Sequence, residues 1–184
     1  MDPETRVGDV MTLTVVTVTA EARLDEAARR LRVHHVSGLP VLAPPHRVVG
    51  MLSERDIVRS LHRATGVGSA RGLLDLLLES APSKGESILE VCRRQLRNTR
   101  VGDVMTTTVV TVARDTPLDE AARQMRLHGV KRLPVVDAHD ELVGIVTRGD
   151  IVQAVSGKRR TRRGALRPAP AARAKVPVGP FEDV

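Results

Sequence analysis

Residues 5–12 read Thr-Arg-Val-Gly-Asp-Val-Met-Thr, and residues 99–106 read the same eight residues again. The correspondence runs on without a gap at a constant offset of 94. Val15-Val16-Thr17-Val18 returns as Val109-Val110-Thr111-Val112, and Leu24-Asp25-Glu26-Ala27-Ala28-Arg29 as Leu118-Asp119-Glu120-Ala121-Ala122-Arg123. Leu39-Pro40-Val41 returns as Leu133-Pro134-Val135, and Asp56-Ile57-Val58 as Asp150-Ile151-Val152. A repeat of this length is a folding unit, and two copies in one chain tend to pack about a twofold axis. Any ligand cleft on such an axis is expected twice.

Each copy changes its hydrophobic period in the same order. Val15–Val18 is short and β-branched, as a strand would be. Leu24, Ala27, Ala28 and Leu31 recur at helical spacing and mark one face of a helix. In the second copy Thr116-Pro117 predicts a cap followed by proline at the first helical position. Leu39–Leu42 and Val48–Leu52 read as two further strands, and a second helix is expected to start at Ser53 or Thr147. The predicted class is α+β, with two β-α-β-β-α repeats at 5–62 and 99–156.

Between the copies, residues 63–98 predict a helical connector. Its Leu73–Leu78 segment is strongly apolar, and Ser87-Ile88-Leu89-Glu90 has capping-box spacing ahead of a helix running to about Leu96. The leucines suit either a cover for the module's own flank or a dimer contact. Residues 157–184 combine Pro, Ala, Gly and Arg without an apolar period, which predicts a disordered basic tail.

Charge follows that division. The net charge is +7, but the tail's eight Lys/Arg against Glu182 and Asp183 account for +6 of it, leaving +1 for the rest. There is no Trp or Tyr and a single Phe181, so the core must be aliphatic and base-stacking platforms are missing. Cys92 is the only cysteine, which excludes an intrachain disulfide and fits a reducing cytoplasm. No signal peptide and no apolar run approaching ~20 residues stand out, so the expectation is a soluble, cytoplasmic protein without a membrane role.

The most informative local motif is Gly50-Met51-Leu52-Ser53-Glu54-Arg55-Asp56, with its partner Gly144-Ile145-Val146-Thr147-Arg148-Gly149-Asp150. A strand runs into a hydroxyl residue, and an aspartate follows three positions later at a helix start. Taken from one copy alone, helix capping is the simpler account, typically worth ~1 kcal/mol. The alternative is that the carboxylate accepts hydrogen bonds from a diol such as a ribose, with the hydroxyl residue and helix amides beside the sugar and its phosphate.

The element order, the Val-Met-Thr entry, the Leu-Pro-Val strand and the Gly-x-x-(Ser/Thr)-x-x-Asp-Ile ending resemble the cystathionine-β-synthase-type (CBS) domain. Two copies resemble a CBS pair, or Bateman module. The resemblance implies a pseudo-twofold module with two clefts for an adenosine-containing ligand: AMP, ADP, ATP or S-adenosylmethionine. It further implies that one cleft uses Asp56 and Ser53 on the ribose, with Met51, Val109, Val110 and Pro134 flanking the adenine and Lys131 and Arg132 meeting phosphate. The second would use Asp150, Thr147, Ile145, Val15, Val16 and Pro40, but here Ser37 and Gly38 replace the two cations. The Asp56 cleft is therefore expected to prefer a phosphorylated ligand.

Other candidates carry less. His34 and His128 occupy equivalent positions late in a helix, which suits packing or capping better than a metal, and no metal ligand set stands out. Glu26 and Glu120 fall on the polar face of that helix, where solvation is expected. Ser53 has no evident base or oxyanion partner, so no catalytic residue and no catalytic cofactor are assigned. The resulting expectation is a non-enzymatic regulatory homodimer acting on another, unidentified protein. Two alternatives stand beside it. One is a nucleic-acid-associated protein using Lys158-Arg159-Arg160-Thr161-Arg162-Arg163, and the other is a ligand-free dimerisation scaffold.

Overall fold

The computed structural model describes residues 5–65 and 88–156. The Leu73–Leu78 segment, the cap at Ser87 and the basic tail lie outside the described residues. The architecture is α+β, with two three-stranded sheets and helices. The chain divides into two compact units that interleave its repeats. Unit 1 takes residues 5–16, 44–48 and 109–156; unit 2 takes 17–43, 49–65 and 88–108.

Unit 1 contains α1 (Val7–Val10), β4 (Val112–Ala113), α5 (Leu118–Leu127), β5 (Arg132–Val136), β6 (Leu142–Thr147) and α6 (Arg148–Val155). The sheet order is β4-β5-β6. β4 runs parallel to β5, pairing Val112 with Val135, and β5 runs antiparallel to β6, pairing Leu133 with Val146 and Pro134 with Ile145. Helix α5 forms on an alternating-face sequence with Asp119 and Glu120 in its first turn, where carboxylates oppose the positive helix end. Its Leu118, Ala121 and Met125 meet Leu133, Val135 and Val146 from the sheet in one aliphatic core, completed by Val7 and Met11 of the entry arm, residues 5–12, whose counterpart in the second copy is the arm 99–106. Removing a leucine side chain from such a core costs about 2–5 kcal/mol.

Unit 2 contains β1 (Val18–Thr19), α2 (Leu24–Val33), β2 (Gly38–Ala43), most of β3 (Arg47–Ser53), α3 (Glu54–Thr65), α4 (Ile88–Asn98) and a 3-10 turn at Val101–Asp103. The sheet order is β1-β2-β3, with β1 parallel to β2 and Val18 opposite Val41. Leu24, Leu39, Val41, Leu52 and Val101 are fully buried. Helix α4 packs against α2 and α3.

Each arm docks on elements of the other copy. In unit 1, Val7 N donates to Thr116 O (2.9 Å), Gly8 N to Arg114 O (2.8 Å) and Leu118 N to Thr5 O (3.0 Å). In unit 2 the matching bonds are Val101 N to Ala22 O (2.9 Å), Gly102 N to Ala20 O (2.9 Å) and Leu24 N to Thr99 O (3.0 Å).

Three local expectations need correction. The strand expected at Val15–Val18 is only Val18–Thr19, and the Thr17 carbonyl is taken by Arg30 Nη1 at 2.7 Å in place of a ladder partner. Thr116 does not cap α5, whose N-cap is Pro117; its hydroxyl accepts from Ala113 N at 3.1 Å and closes the preceding turn instead. Glu26 and Glu120 are not simply solvated. Glu26 pairs with Arg30 at 2.5 Å, and Glu120 accepts from Arg123 (2.7 and 2.8 Å) and Gln124 (2.6 Å). His34 and His128 are both helix C-cap residues, their backbone N–H groups donating to Arg30 O and Gln124 O.

Candidate functional site

The repeated Ser/Thr-x-x-Asp motifs share two hydrogen bonds, and the second copy adds a third. In unit 2, Asp56 Oδ2 accepts from Ser53 N (2.9 Å) and Ser53 Oγ (2.6 Å). In unit 1, Asp150 Oδ2 accepts from Thr147 N (2.8 Å) and Thr147 Oγ1 (2.7 Å), while Asp150 N donates back to Thr147 Oγ1 (3.3 Å). The second set is a capping box on α6. Both carboxylates are nearly buried, at 8% and 9% exposure. The capping role is therefore physical in both copies, and it uses one oxygen of each aspartate. Asp56 Oδ1 lies 3.8 Å from Arg59 Nη1, too far for a hydrogen bond.

Backbone pairing fixes the strands that lead into these motifs. Met51 exchanges both backbone bonds with Thr106 at 2.9 Å, and Ile145 does the same with Thr12 at 2.9 and 3.0 Å. A Cβ on Gly50 would collide with the Met105 thioether, and one on Gly144 would lie 2.6 Å from Met11 Sδ. The glycines are thus seats for the methionines of the Val-Met-Thr arms. In the sequence the Met and Thr of these arms mark the repeat and the CBS resemblance without announcing this role; the signal available was a glycine recurring at the same strand position in both copies.

Of the residues singled out from sequence, Val15, Val16, Ile145, Thr147 and Asp150 belong to unit 1. So do Val109, Val110, Lys131, Arg132 and Pro134. Met51, Ser53, Asp56 and Pro40 belong to unit 2. Val15, Pro40 and Pro134 are buried; Val16, Val109, Val110, Met51 and Ile145 are half-buried. Lys131 is exposed just before β5, its carbonyl accepting from Arg148 N at 3.0 Å. Arg132 opens β5 and stands opposite Thr147 in the ladder.

The CBS domain model matches residues 7–63 and 101–157, the two repeats. The chain belongs to the CBS domain family. The uncharacterized protein MJ1426 of Methanocaldococcus jannaschii is 36% identical over 80% of this chain and 89% of its own length. The chloroplastic CBSX2 of Arabidopsis thaliana is 32% identical over 80% of this chain, which spans only 62% of it. A crystal structure of CBSX2 in complex with AMP superposes with a TM-score of 0.61 at 31% identity, covering 84% of this chain and 98% of that one. The CBS domain pair of MJ0100, crystallised with 5′-methylthioadenosine and S-adenosyl-L-methionine, gives 0.62 at 25% identity, covering 85% of this chain and all of that one.

Among the described residues no three His, Cys, Asp or Glu side chains converge as a metal site. No described helix is long and apolar enough to cross a membrane.

Proposed function

We propose that this chain is a non-enzymatic regulatory CBS module that binds an adenosine-containing ligand, drawn from AMP, ADP, ATP and S-adenosylmethionine, and signals by changing conformation. One observation carries the ligand class: CBSX2, 31% identical over 84% of this chain, was crystallised with AMP. The MJ0100 pair took two ligands that share its adenosine portion. In each motif the turn holds one aspartate oxygen, and Oδ1 of Asp56 and of Asp150 is assigned to the ribose hydroxyls. Phosphate is assigned to Lys131 and Arg132, which the family resemblance groups with Asp56. Signalling then follows from differential affinity, since a ligand that prefers one conformation populates it.

The same reading makes the module a homodimer that acts on a separate protein in the cytoplasm. Leu127, Val152 and Val155 of unit 1 are 67%, 63% and 55% exposed, an apolar set of the kind a second copy would cover.

Calorimetry with AMP, ATP, S-adenosylmethionine and adenosine tests the proposal. At least one ligand binds, and Asp56→Asn or Asp150→Asn weakens it about 10–100-fold, the worth of a hydrogen bond to a charged group. Arg132→Ala lowers AMP affinity while leaving adenosine unaffected; unchanged AMP affinity removes the phosphate assignment. The engagement of both Oδ2 atoms in capping favours a second reading, a ligand-free scaffold, in which every titration is silent.

A further inference from the structure

Charge is unevenly distributed over the described residues. Unit 1 carries eight basic and eight acidic side chains and is neutral. Unit 2 carries eleven arginines, no lysine and seven carboxylates, a net of +4. Much of that excess lies along α4 and the three residues that follow it. Arg93, Arg94, Arg97 and Arg100 are all exposed. The opposite face of α4, with Val91, Cys92, Gln95 and Leu96, is half-buried, and Gln95 Nε2 donates to Ser60 Oγ of α3 at 3.4 Å. That packing fixes the rotation of the helix, so its arginines are held outward.

Arg93, Arg94 and Arg97 line a concavity of about 390 Å³ with Glu90 and Asn98. Beyond the concavity a second stretch of chain meets the helix end: Arg23 Nη1 donates to Asn98 O at 3.1 Å, and the backbones of Arg23 and Arg100 bridge. Two more guanidinium-bearing residues thus stand at the C-terminal end of α4, where the helix dipole favours cations. Cations one turn apart repel each other in the free protein. A bound polyanion removes that penalty.

We propose that this arginine face docks the phosphate backbone of a nucleic-acid duplex. Guanidinium groups take phosphate oxygens in pairs, and every cation lining this face is an arginine. Arg93 and Arg97 are separated by a rise of about 6 Å, enough to address separate phosphates of one strand. The near-absence of aromatic residues leaves nothing for unpaired bases to stack on, which favours a duplex over a single strand. The half-buried side of α4 packs on α2 and α3, and Leu89 is the one large apolar side chain described as exposed on this helix, too little to insert it into a lipid surface. The contact reads charge and not base sequence, and it is separate from the run of five cations at 158–163.

The test uses the full chain and a fluorescein-labelled 20-base-pair duplex, with anisotropy titrations between 50 and 200 mM salt. The wild type binds, and affinity falls steeply as salt rises. Arg93→Ala/Arg97→Ala lowers the slope of log affinity against log salt by about 1.8, the loss of two phosphate contacts. Arg93→Lys/Arg97→Lys keeps the slope. Neutralising the five cations at 158–163 lowers it by a further, independent amount. An unchanged slope in the double alanine variant overturns the proposal. So does a wild type that ignores the duplex at 50 mM salt, or that binds phosphatidylserine vesicles in its place. AMP titration of the double alanine variant is expected to match the wild type, which keeps this outcome distinct from the ligand proposal.

Discussion

Removing the Asp150 carboxylate from the ligand-free chain measures what the capping box contributes to folding. Thr147→Ala deletes the hydroxyl that donates to Asp150 Oδ2 at 2.7 Å and accepts from Asp150 N at 3.3 Å. An N-cap loss of this kind costs about 1 kcal/mol. Asp150→Ala deletes an acceptor that takes two bonds and leaves the Thr147 N–H, now at 2.8 Å from it, without its partner. A lost bond to a charged group together with a lost dipole interaction puts this near 2 kcal/mol. The two variants remove a shared bond, so their costs do not add. The double variant is expected at about 2 kcal/mol, a coupling of about 1 kcal/mol. Thr147→Ser keeps every bond and is expected within about 0.5 kcal/mol of wild type. Urea unfolding of the ligand-free chain, followed by circular dichroism, measures all four. Additive costs, or an Asp150→Ala variant as stable as wild type, would refute the capping geometry.

The arm glycines predict an asymmetry: Gly144→Ala meets both Met11 Sδ at 2.6 Å and the Thr12 carbonyl at 3.1 Å, whereas the three atoms nearest a Gly50→Ala Cβ all belong to the flexible Met105 side chain. Thermal or urea unfolding should place Gly144→Ala at about 1–3 kcal/mol and Gly50→Ala below it, with Met105→Ala relieving the latter. His35 (φ 52°) sits where the second repeat has Gly129 (φ 64°), so His35→Gly should raise stability by up to about 1 kcal/mol, and a loss would contradict the strain argument. Hydrogen bonds from Arg123 and then Gln124 hold the Glu120 carboxyl down to about 2. A depressed carboxylate stabilises the fold above its unfolded value of about 4.3 and loses that contribution as pH falls toward 2. Glu120→Gln should therefore flatten the acid limb of a stability–pH curve between those values, and high salt should shrink the difference because the pair is exposed.

Most of the secondary structure was legible because burial imposes a period. The apolar runs at Leu39–Leu42 and Val48–Leu52 appear as Gly38–Ala43 and Arg47–Ser53, and the Leu24, Ala27 and Leu31 face is the buried face of α2. The Ser/Thr-x-x-Asp motif announced its own capping chemistry, since a hydroxyl and a carboxylate three residues apart can satisfy free amides at a helix start. The exchange of arms was not legible. Residues 5–12 and 99–106 are identical, so either arm presents the same surface to either copy and nothing local selects between them. The glycine seats were hidden for a related reason: a glycine in a strand signals close approach without saying what approaches. Val15 and Val16 carried a strand-like pattern that burial in unit 1 explains as well as pairing would have done.

The central claim is that each buried aspartate divides its oxygens between its own turn and a ribose. A crystal structure with AMP tests it directly. The account predicts Oδ2 of Asp56 or Asp150 still bonded to Ser53 or Thr147, with Oδ1 at about 2.5–3.0 Å from a ribose hydroxyl. AMP bound elsewhere, with both carboxylates serving only their own turns, would contradict it.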